Sequence, residues 1–96
     1  MAQYVADLAF PGAGQLTGSE VDAITQRARR LADELGPGVE WLTGYLTTDG
    51  AYAVYRADGE ALVQTHLSRL GLLARSVERV SAQIAPSTSS DQGGSQ

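Results

Sequence analysis

Apolar residues along the chain recur with two periods, the period of two that is typical of strands and the period of three to four that is typical of helices. Residues 4–10 alternate and predict a first strand, which the Pro-Gly-Ala-Gly segment at 11–14 then ends. Thr17 and Glu20 have the spacing of a capping box, so we predict that a helix begins there. Apolar residues at helical spacing continue this helix to residue 35, where a Gly-Pro-Gly segment ends it.

The second half of the chain begins with a predicted hairpin over residues 38–56, followed by a helix over 59–70 and a strand over 77–84. This order of elements predicts an α+β fold, the ferredoxin-like βαββαβ sandwich. We expect a four-stranded antiparallel sheet with two helices on one face, in a single domain over residues 1–86. The polar residues 87–96 predict a disordered tail.

The hairpin has two different faces if Asp49-Gly50 forms its turn. One face is small or apolar and suits packing against helices; its residues are Leu42, Gly44, Leu46 and Tyr55. The other face is aromatic or polar; its residues are Trp41, Thr43, Tyr45, Tyr52, Val54 and Arg56. Because two helices cover only one side of the sheet, the second side remains an open face. We therefore predict a homodimer through the open face, with a cavity between the two subunits.

Composition narrows the range of partners and compartments. The net charge of -4 argues against nucleic acid or an anionic membrane as a partner. The chain has no cysteine, and its first residues lack the basic region of a signal peptide. We therefore expect a cytoplasmic protein whose partners are a second copy of itself and a small molecule.

Residues of the hairpin form the candidate ligand site. The predicted ligand-binding residues are Trp41, Thr43, Tyr52, Tyr55 and Arg56. The aromatic rings would stack on a flat molecule, and the guanidinium of Arg56 would pair with an anionic oxygen. The alternative is a dimer interface without a ligand, in which Asp7 and Arg56 form a buried ion pair.

The single histidine, His66, has two interpretations. The pKa of an imidazole lies near neutrality, so His66 is a candidate general base or metal ligand. Its place on the apolar stripe of the second helix equally predicts a buried structural histidine that hydrogen-bonds to Tyr55 or to a backbone carbonyl. Asp7 and Tyr45 complete the set of candidate catalytic residues.

Four segments carry a resemblance to a known family: PGAG at 11–14, LGPGVEW at 35–41, YAVYRA at 52–57, and the spacing from Glu60 through His66 to Val80. In these the chain resembles small bacterial proteins, common in actinobacteria, that were long described as a domain of unknown function and are typified by a nickel-binding dimer. The resemblance implies ferredoxin-like subunits, a dimer, and nickel bound through histidine-rich positions. The chain departs from that pattern, since Thr43 and Ala53 stand where relatives often carry histidine and cysteine.

The cofactor is therefore either absent or nickel, and nickel would require two copies to pool His66 or carboxylates to complete its shell. The leading hypothesis is a dimeric protein that binds a small ligand. The alternative is a cofactor-free cyclase or isomerase acting on an aromatic or polyketide-like metabolite between the subunits. In that enzyme Asp7 or His66 would move a proton, Tyr45 or Tyr52 would stabilise an oxyanion, and Arg56 would hold the substrate. A third hypothesis is a structural dimer without a ligand.

Overall fold

The computed structural model describes residues 1–86, and the predicted tail at 87–96 lies outside this range. The chain forms a four-stranded sheet and two helices in the predicted order, with a short 3-10 helix at Ala13–Gln15. The elements are β1 (Ala2–Ala9), α1 (Gly18–Leu35), β2 (Val39–Leu46), β3 (Gly50–Ala57), α2 (Glu60–Leu70) and β4 (Leu73–Arg79). The spatial order of the strands is β2-β3-β1-β4, and all neighbours are antiparallel. The ferredoxin-like fold predicted from the sequence is confirmed.

Helix α1 begins at the predicted capping box. The Thr17 hydroxyl accepts a hydrogen bond from the Glu20 backbone N–H at 3.2 Å, and the Glu20 carboxylate accepts one from the Thr17 N–H at 2.9 Å. These bonds satisfy two N–H groups that have no partner within the helix. The helix ends at Leu35 because Gly36 adopts a φ of +92°, which residues with a side chain rarely adopt. The first helix therefore has both boundaries that the sequence predicted.

The hairpin between β2 and β3 turns one position earlier than predicted. The Thr47 N–H donates to the Gly50 carbonyl at 2.9 Å, so Thr48 and Asp49 form the turn and Tyr45 pairs with Tyr52. A turn at Asp49-Gly50 would instead pair Tyr45 with Val54, so the predicted register is wrong by two residues. Because side chains alternate with a period of two, the shift preserved the face on which each residue near the turn lies.

A bulge in β2 moves Trp41 to the other side of the sheet. The register changes between Trp41 and Thr43, so that Trp41 pairs with Tyr55 and packs against the core beneath the helices. Leu42 is the extra residue and is 37% exposed. The prediction that Trp41 lies on the open face is therefore wrong, and so is the prediction that Leu42 lies in the core.

Strand β4 starts four residues before the predicted position and ends at Arg79. It pairs with β1 over its length, with a register shift that leaves Arg75 between Ala74 and Ser76 without a direct partner on β1. The predicted position of this strand over 77–84 is therefore wrong, and Arg79 pairs with Tyr4, a core residue. Ser76 and Glu78 lie on the open face instead, opposite Asp7 and Val5.

The core lies between the sheet and the helices. The inward residues of β1 and β3 pack against Val63 and Leu67 of α2, and all of them are buried. Helix α1 contributes only the small residues Ala28 and Ala32 to the fully buried set. No helix within residues 1–86 has the length and apolar character needed to cross a membrane.

Candidate functional site

A cavity of about 410 Å³ lies between α1 and the β2–β3 half of the sheet. The sheet side of its wall is formed by residues with little or no side chain, namely Gly44, Ala51 and Ala53. The helix side is formed by Ile24 and Ala28 with their neighbours on α1. Protein interiors are normally packed without voids larger than a water molecule, so small residues facing one another leave space that no side chain of residues 1–86 fills. Its volume is within the range of ligand-binding pockets, roughly 300 to 1,000 Å³.

The cavity opens at β2, the edge strand of the sheet. Two lining residues there, Leu42 and Leu46, are 37% and 41% exposed, and Gly44 between them is exposed as well. A Cβ atom added to Gly44 would lie 3.6 Å from the Trp41 ring, in ordinary contact distance. Gly44 therefore leaves a gap at the mouth of the cavity that a larger side chain would occupy.

The polar pair of Tyr55 and His66 stands behind the cavity. Tyr55 lines it, and the Tyr55 hydroxyl is 2.6 Å from Nδ1 of His66. Nε2 of His66 is 2.8 Å from the backbone carbonyl of Ala28. A carbonyl can only accept, so Nε2 carries the proton and donates, and Nδ1 of the neutral ring accepts the bond from the Tyr55 hydroxyl. Both ring nitrogens of His66 are thereby in use.

The pKa values of this pair favour its neutral form. Both side chains are fully buried, with exposed fractions of 0%. Burial lowers the pKa of His66, against a smaller opposing effect of its bond to Ala28. Burial also raises the pKa of the Tyr55 hydroxyl well above its usual value. The structural interpretation of His66 predicted a hydrogen bond to Tyr55 or to a backbone carbonyl, and the ring makes both bonds.

The open face carries a polar row that crosses all four strands. Tyr45 pairs with Tyr52, Tyr52 with Asp7, and Asp7 with Ser76. Asp7 forms an ion pair with Arg75 at 3.2 Å, and Arg75 also donates to the Leu8 carbonyl at 3.1 Å. The structure thus brings the candidate residues Asp7, Tyr45 and Tyr52 into one row.

Arg56 lies elsewhere on this face and has a different partner from the predicted one. Its guanidinium pairs with the carboxylate of Glu40 at 2.9 Å, and both side chains are half exposed. The predicted buried pair of Asp7 and Arg56 does not form. His66 is also separated from Asp7, since His66 lies under the helices and Asp7 lies on the open face.

Of the five predicted ligand-binding residues, Trp41 and Tyr55 line the cavity from the core side of the sheet, whereas Thr43 and Tyr52 border it as strand residues whose side chains lie on the open face. Tyr45 borders the cavity in the same way as Tyr52, and Arg56 does not border it. The cavity itself, on the helix side of the sheet, was not predicted from the sequence. The available signal was the set of small residues, Gly44, Ala51 and Ala53, on the side that receives the helices.

Comparison with known proteins identifies the family. Residues 4–80 match the model of the family described as nickel responsive protein SCO4226-like. The chain belongs to the SCO4226-like family. The crystal structure of SCO4226 from Streptomyces coelicolor A3(2) has the same fold, with a TM-score of 0.70 and 14% sequence identity. The similarity covers 86% of this chain and 100% of that one. No curated protein matches the chain.

The SCO4226-like family name raises the question of whether this chain has residues that fit nickel. Nickel sites in proteins favour several nitrogen or sulfur donors. This chain has no cysteine, and the two nitrogens of its only histidine are hydrogen-bonded to Tyr55 and Ala28. Within residues 1–86 no three His, Cys, Asp or Glu side chains lie close enough together to hold a metal ion. The donor set of the described residues does not fit nickel.

Proposed function

We propose that this protein binds a small uncharged organic molecule in the cavity between α1 and the sheet. The observation that carries the proposal is a cavity of about 410 Å³ lined mainly by apolar residues and open at an edge strand. Ligand sites in proteins are concave and mostly apolar, with a few polar groups that fix the orientation of the ligand. Here such a polar group is supplied by Thr25 of α1.

Ligand binding would stabilise the native state by filling space that the described residues leave empty. Burial of apolar surface contributes about 25 cal/mol for each Å² removed from water. The exposed side chains at the mouth, Leu42 and Leu46, would lose contact with water when a ligand covers them. This supports a binding function rather than a cavity that is only a packing defect.

We further propose that the protein is a homodimer through its open face. Tyr45, Tyr52 and Leu73 are 61%, 43% and 72% exposed, and Val5 and Val54 lie half-buried beside them. Such a contiguous apolar and aromatic area is typical of an interface between proteins. The predicted cavity between two subunits remains a proposal distinct from the cavity within each chain.

Within this cavity we propose binding rather than cyclase or isomerase chemistry, because no Asp, Glu or His of residues 1–86 lines it. His66 is buried with both nitrogens bonded, and Asp7 pairs with Arg75 on the other side of the sheet. A general base must lie within hydrogen-bond reach of the proton that it removes. The three candidate catalytic residues are divided between the two sides of the sheet.

Binding of an uncharged solvatochromic dye tests the proposal. We expect saturable binding to the wild-type protein, together with a change in the fluorescence of Trp41, the single tryptophan, which lines the cavity. The variant Gly44→Val places a branched side chain at the mouth and should weaken binding by at least about tenfold. The control Ala23→Val adds the same two methyl groups on an exposed part of α1 and should bind as the wild type does. Absence of saturable dye binding, or equal binding by Gly44→Val, would contradict the proposed function.

A further inference from the structure

The sequence pattern of a strand continues beyond the end of β4. The alternation of apolar and polar residues runs on to Ile84, whereas β4 ends at Arg79. The Val80 N–H adds one bond to the ladder, to the Gln3 carbonyl at 2.8 Å, and β1 begins one residue before Gln3. The sheet of this chain therefore offers the segment little more to pair with. Ile84 is left 95% exposed, although its pattern is that of a buried strand residue.

The outer edge of β2 is the place in the sheet that suits such a segment. β2 and β4 are the two edge strands, and an edge strand carries unpaired N–H and C=O groups along its outer side. Charged side chains protect an edge against pairing with a further strand. Three of the seven residues of β4 are charged, against one of the eight residues of β2. The edge of β2 is therefore the less protected one, and it exposes Leu42 at the mouth of the cavity.

A two-fold dimer through the open face brings the segment and this edge together. The strand order is β2-β3-β1-β4, so a two-fold axis parallel to the strands places β4 of one copy over β2 of its partner. Paired residues run across the sheet from Arg79 to Trp41, so the end of β4 is level with the bulge at Leu42. Rotation about this axis preserves that level. An axis across the strands would instead stack each strand on its own copy and leave the edge of β2 uncovered.

The segment after β4 is long enough to pass from one sheet to the other. Stacked sheets lie about 10 Å apart, and five extended residues at about 3.3 Å each span roughly 16 Å. A chain that leaves the sheet at Arg79 and crosses this gap reaches the other subunit with Ile84. The level at which it arrives is that of Leu42, whose side chain is 37% exposed.

We infer, building on the proposed homodimer, that residues 80–84 cross to the partner subunit and lie along the outer edge of its β2. There Ile84 covers the partner's Leu42 at the mouth of the cavity. The exchange removes two exposed apolar side chains from water and covers an unpaired strand edge. Each cavity is thereby completed by a residue of the other subunit.

Disulfide cross-linking tests this arrangement in the full chain, which has no cysteine of its own. The double variant Leu42→Cys, Ile84→Cys should form covalent dimers under mild oxidation, visible on a non-reducing gel. Each single variant should stay uncross-linked. In the control Leu42→Cys, Leu73→Cys, the second cysteine replaces an exposed leucine at the other end of β4. We expect no cross-link in this control, because its second position is not level with the bulge.

Dye binding tests whether Ile84 covers the mouth of the cavity. Ile84→Asp replaces the covering side chain with a charge and should weaken binding of the uncharged solvatochromic dye by about tenfold. Gln83→Asp is the matched control, because it places the same charge on the neighbouring exposed residue. This control should bind the dye as the wild type does.

The outcomes separate the exchanged segment from the proposed homodimer and from the binding function. If light scattering shows a dimer but the Leu42→Cys, Ile84→Cys variant does not cross-link, or the control with Leu73→Cys cross-links equally, the exchange is wrong and the homodimer stands. Equal dye binding by Ile84→Asp and the wild type would overturn the role of Ile84 at the mouth. A wild-type monomer rejects both the homodimer and the exchange. Absence of dye binding rejects the binding function alone, since the cross-link tests the segment independently.

Discussion

Tyr55 and His66 form a buried hydrogen bond of 2.6 Å that links β3 to α2, and His66 extends the link to α1 through the Ala28 carbonyl at 2.8 Å. Their rings meet edge to face, with centroids 5.2 Å apart. The pair therefore joins three elements of the fold behind the cavity. Because each polar atom in it has a partner, two polar side chains can be fully buried among apolar ones.

Replacing Tyr55 with phenylalanine tests the contribution of this bond. The change leaves the acceptor Nδ1 of His66 buried without a donor, so we expect the free energy of unfolding to fall by about 1 to 3 kcal/mol. Chemical denaturation measures the difference. Tyr52→Phe is a matched control, because it removes the hydroxyl of an exposed tyrosine and should change stability by less than about 0.5 kcal/mol. Equal decreases in the free energy of unfolding for the two variants would show that the buried hydrogen bond of Tyr55 does not stabilise the protein.

The pH dependence of stability should report the burial of His66. In the native state the pKa of His66 is lowered from the value of 6.5 expected for an exposed imidazole. Below pH 6.5 the imidazole is therefore protonated in the unfolded chain but still neutral in the native protein. Stability is then fully present above pH 6.5 and falls as the pH drops towards the native pKa of His66, by at most about 1.4 kcal/mol per pH unit.

Urea unfolding of wild type and His66→Gln between about pH 5 and about pH 7.5 measures this contribution, since carboxylates titrate in both proteins. The wild-type curve should be the steeper of the two. Identical slopes would mean that His66 titrates alike in the folded and unfolded chains.

Nickel binding can be tested directly on the metal-free protein. Since His66 has no free nitrogen and the chain has no cysteine, we expect no stoichiometric nickel at micromolar concentrations in native mass spectrometry or calorimetry. His66→Gln should give the same trace as the wild type. Retention of one nickel ion per chain or per dimer in the wild type, lost in His66→Gln, would overturn this expectation.

The proposed dimer predicts a mass twice that of the 10.1 kDa chain in light scattering. Val5 lies on a central strand of the open face, between Val54 and Glu78, so Val5→Glu should place repelling charges in the interface and yield monomers. Ala61→Glu adds the same charge on the exposed side of α2 and should leave the dimer intact. A wild-type monomer, or a dimer unaffected by Val5→Glu, would rule out this interface.

Much of the fold could be predicted from local chemistry. The capping box at Thr17 and Glu20 and the Gly-Pro-Gly segment after Leu35 fix the boundaries of α1 through neighbouring residues alone. The register of β2 was less accessible, because Asp49-Gly50 is a typical turn sequence and predicts a turn one position too late. In the structure Gly50 lies in β3 at a close approach, where a Cβ atom would be 3.0 Å from Arg75 and 3.1 Å from the Leu8 carbonyl. Gly50 is required by contacts with residues that are distant in the chain, and the local sequence does not show these contacts.

The location of the proposed ligand site was less accessible from the sequence than the fold was. The bulge at Leu42 places Trp41 beneath the helices beside Tyr55, while the side chains of Thr43 and Tyr52 lie on the open face. A bulge changes which face a residue occupies without a distinctive residue type, so alternation alone could not reveal it. The partner of Asp7 was missed for a related reason, since Arg75 lies at a second register shift in a strand whose start was predicted too late.

The location of a bound ligand is the most direct test of a site between α1 and the sheet. The solvatochromic dye would be added to isotopically labelled protein, and the backbone amide shifts would be followed by NMR. We predict the largest shifts at cavity residues such as Ala28, Gly44 and Ala53, and little change at Val5 and Glu78 on the open face. Shifts confined to the open face, or shifts that appear only when nickel is added, would contradict the account.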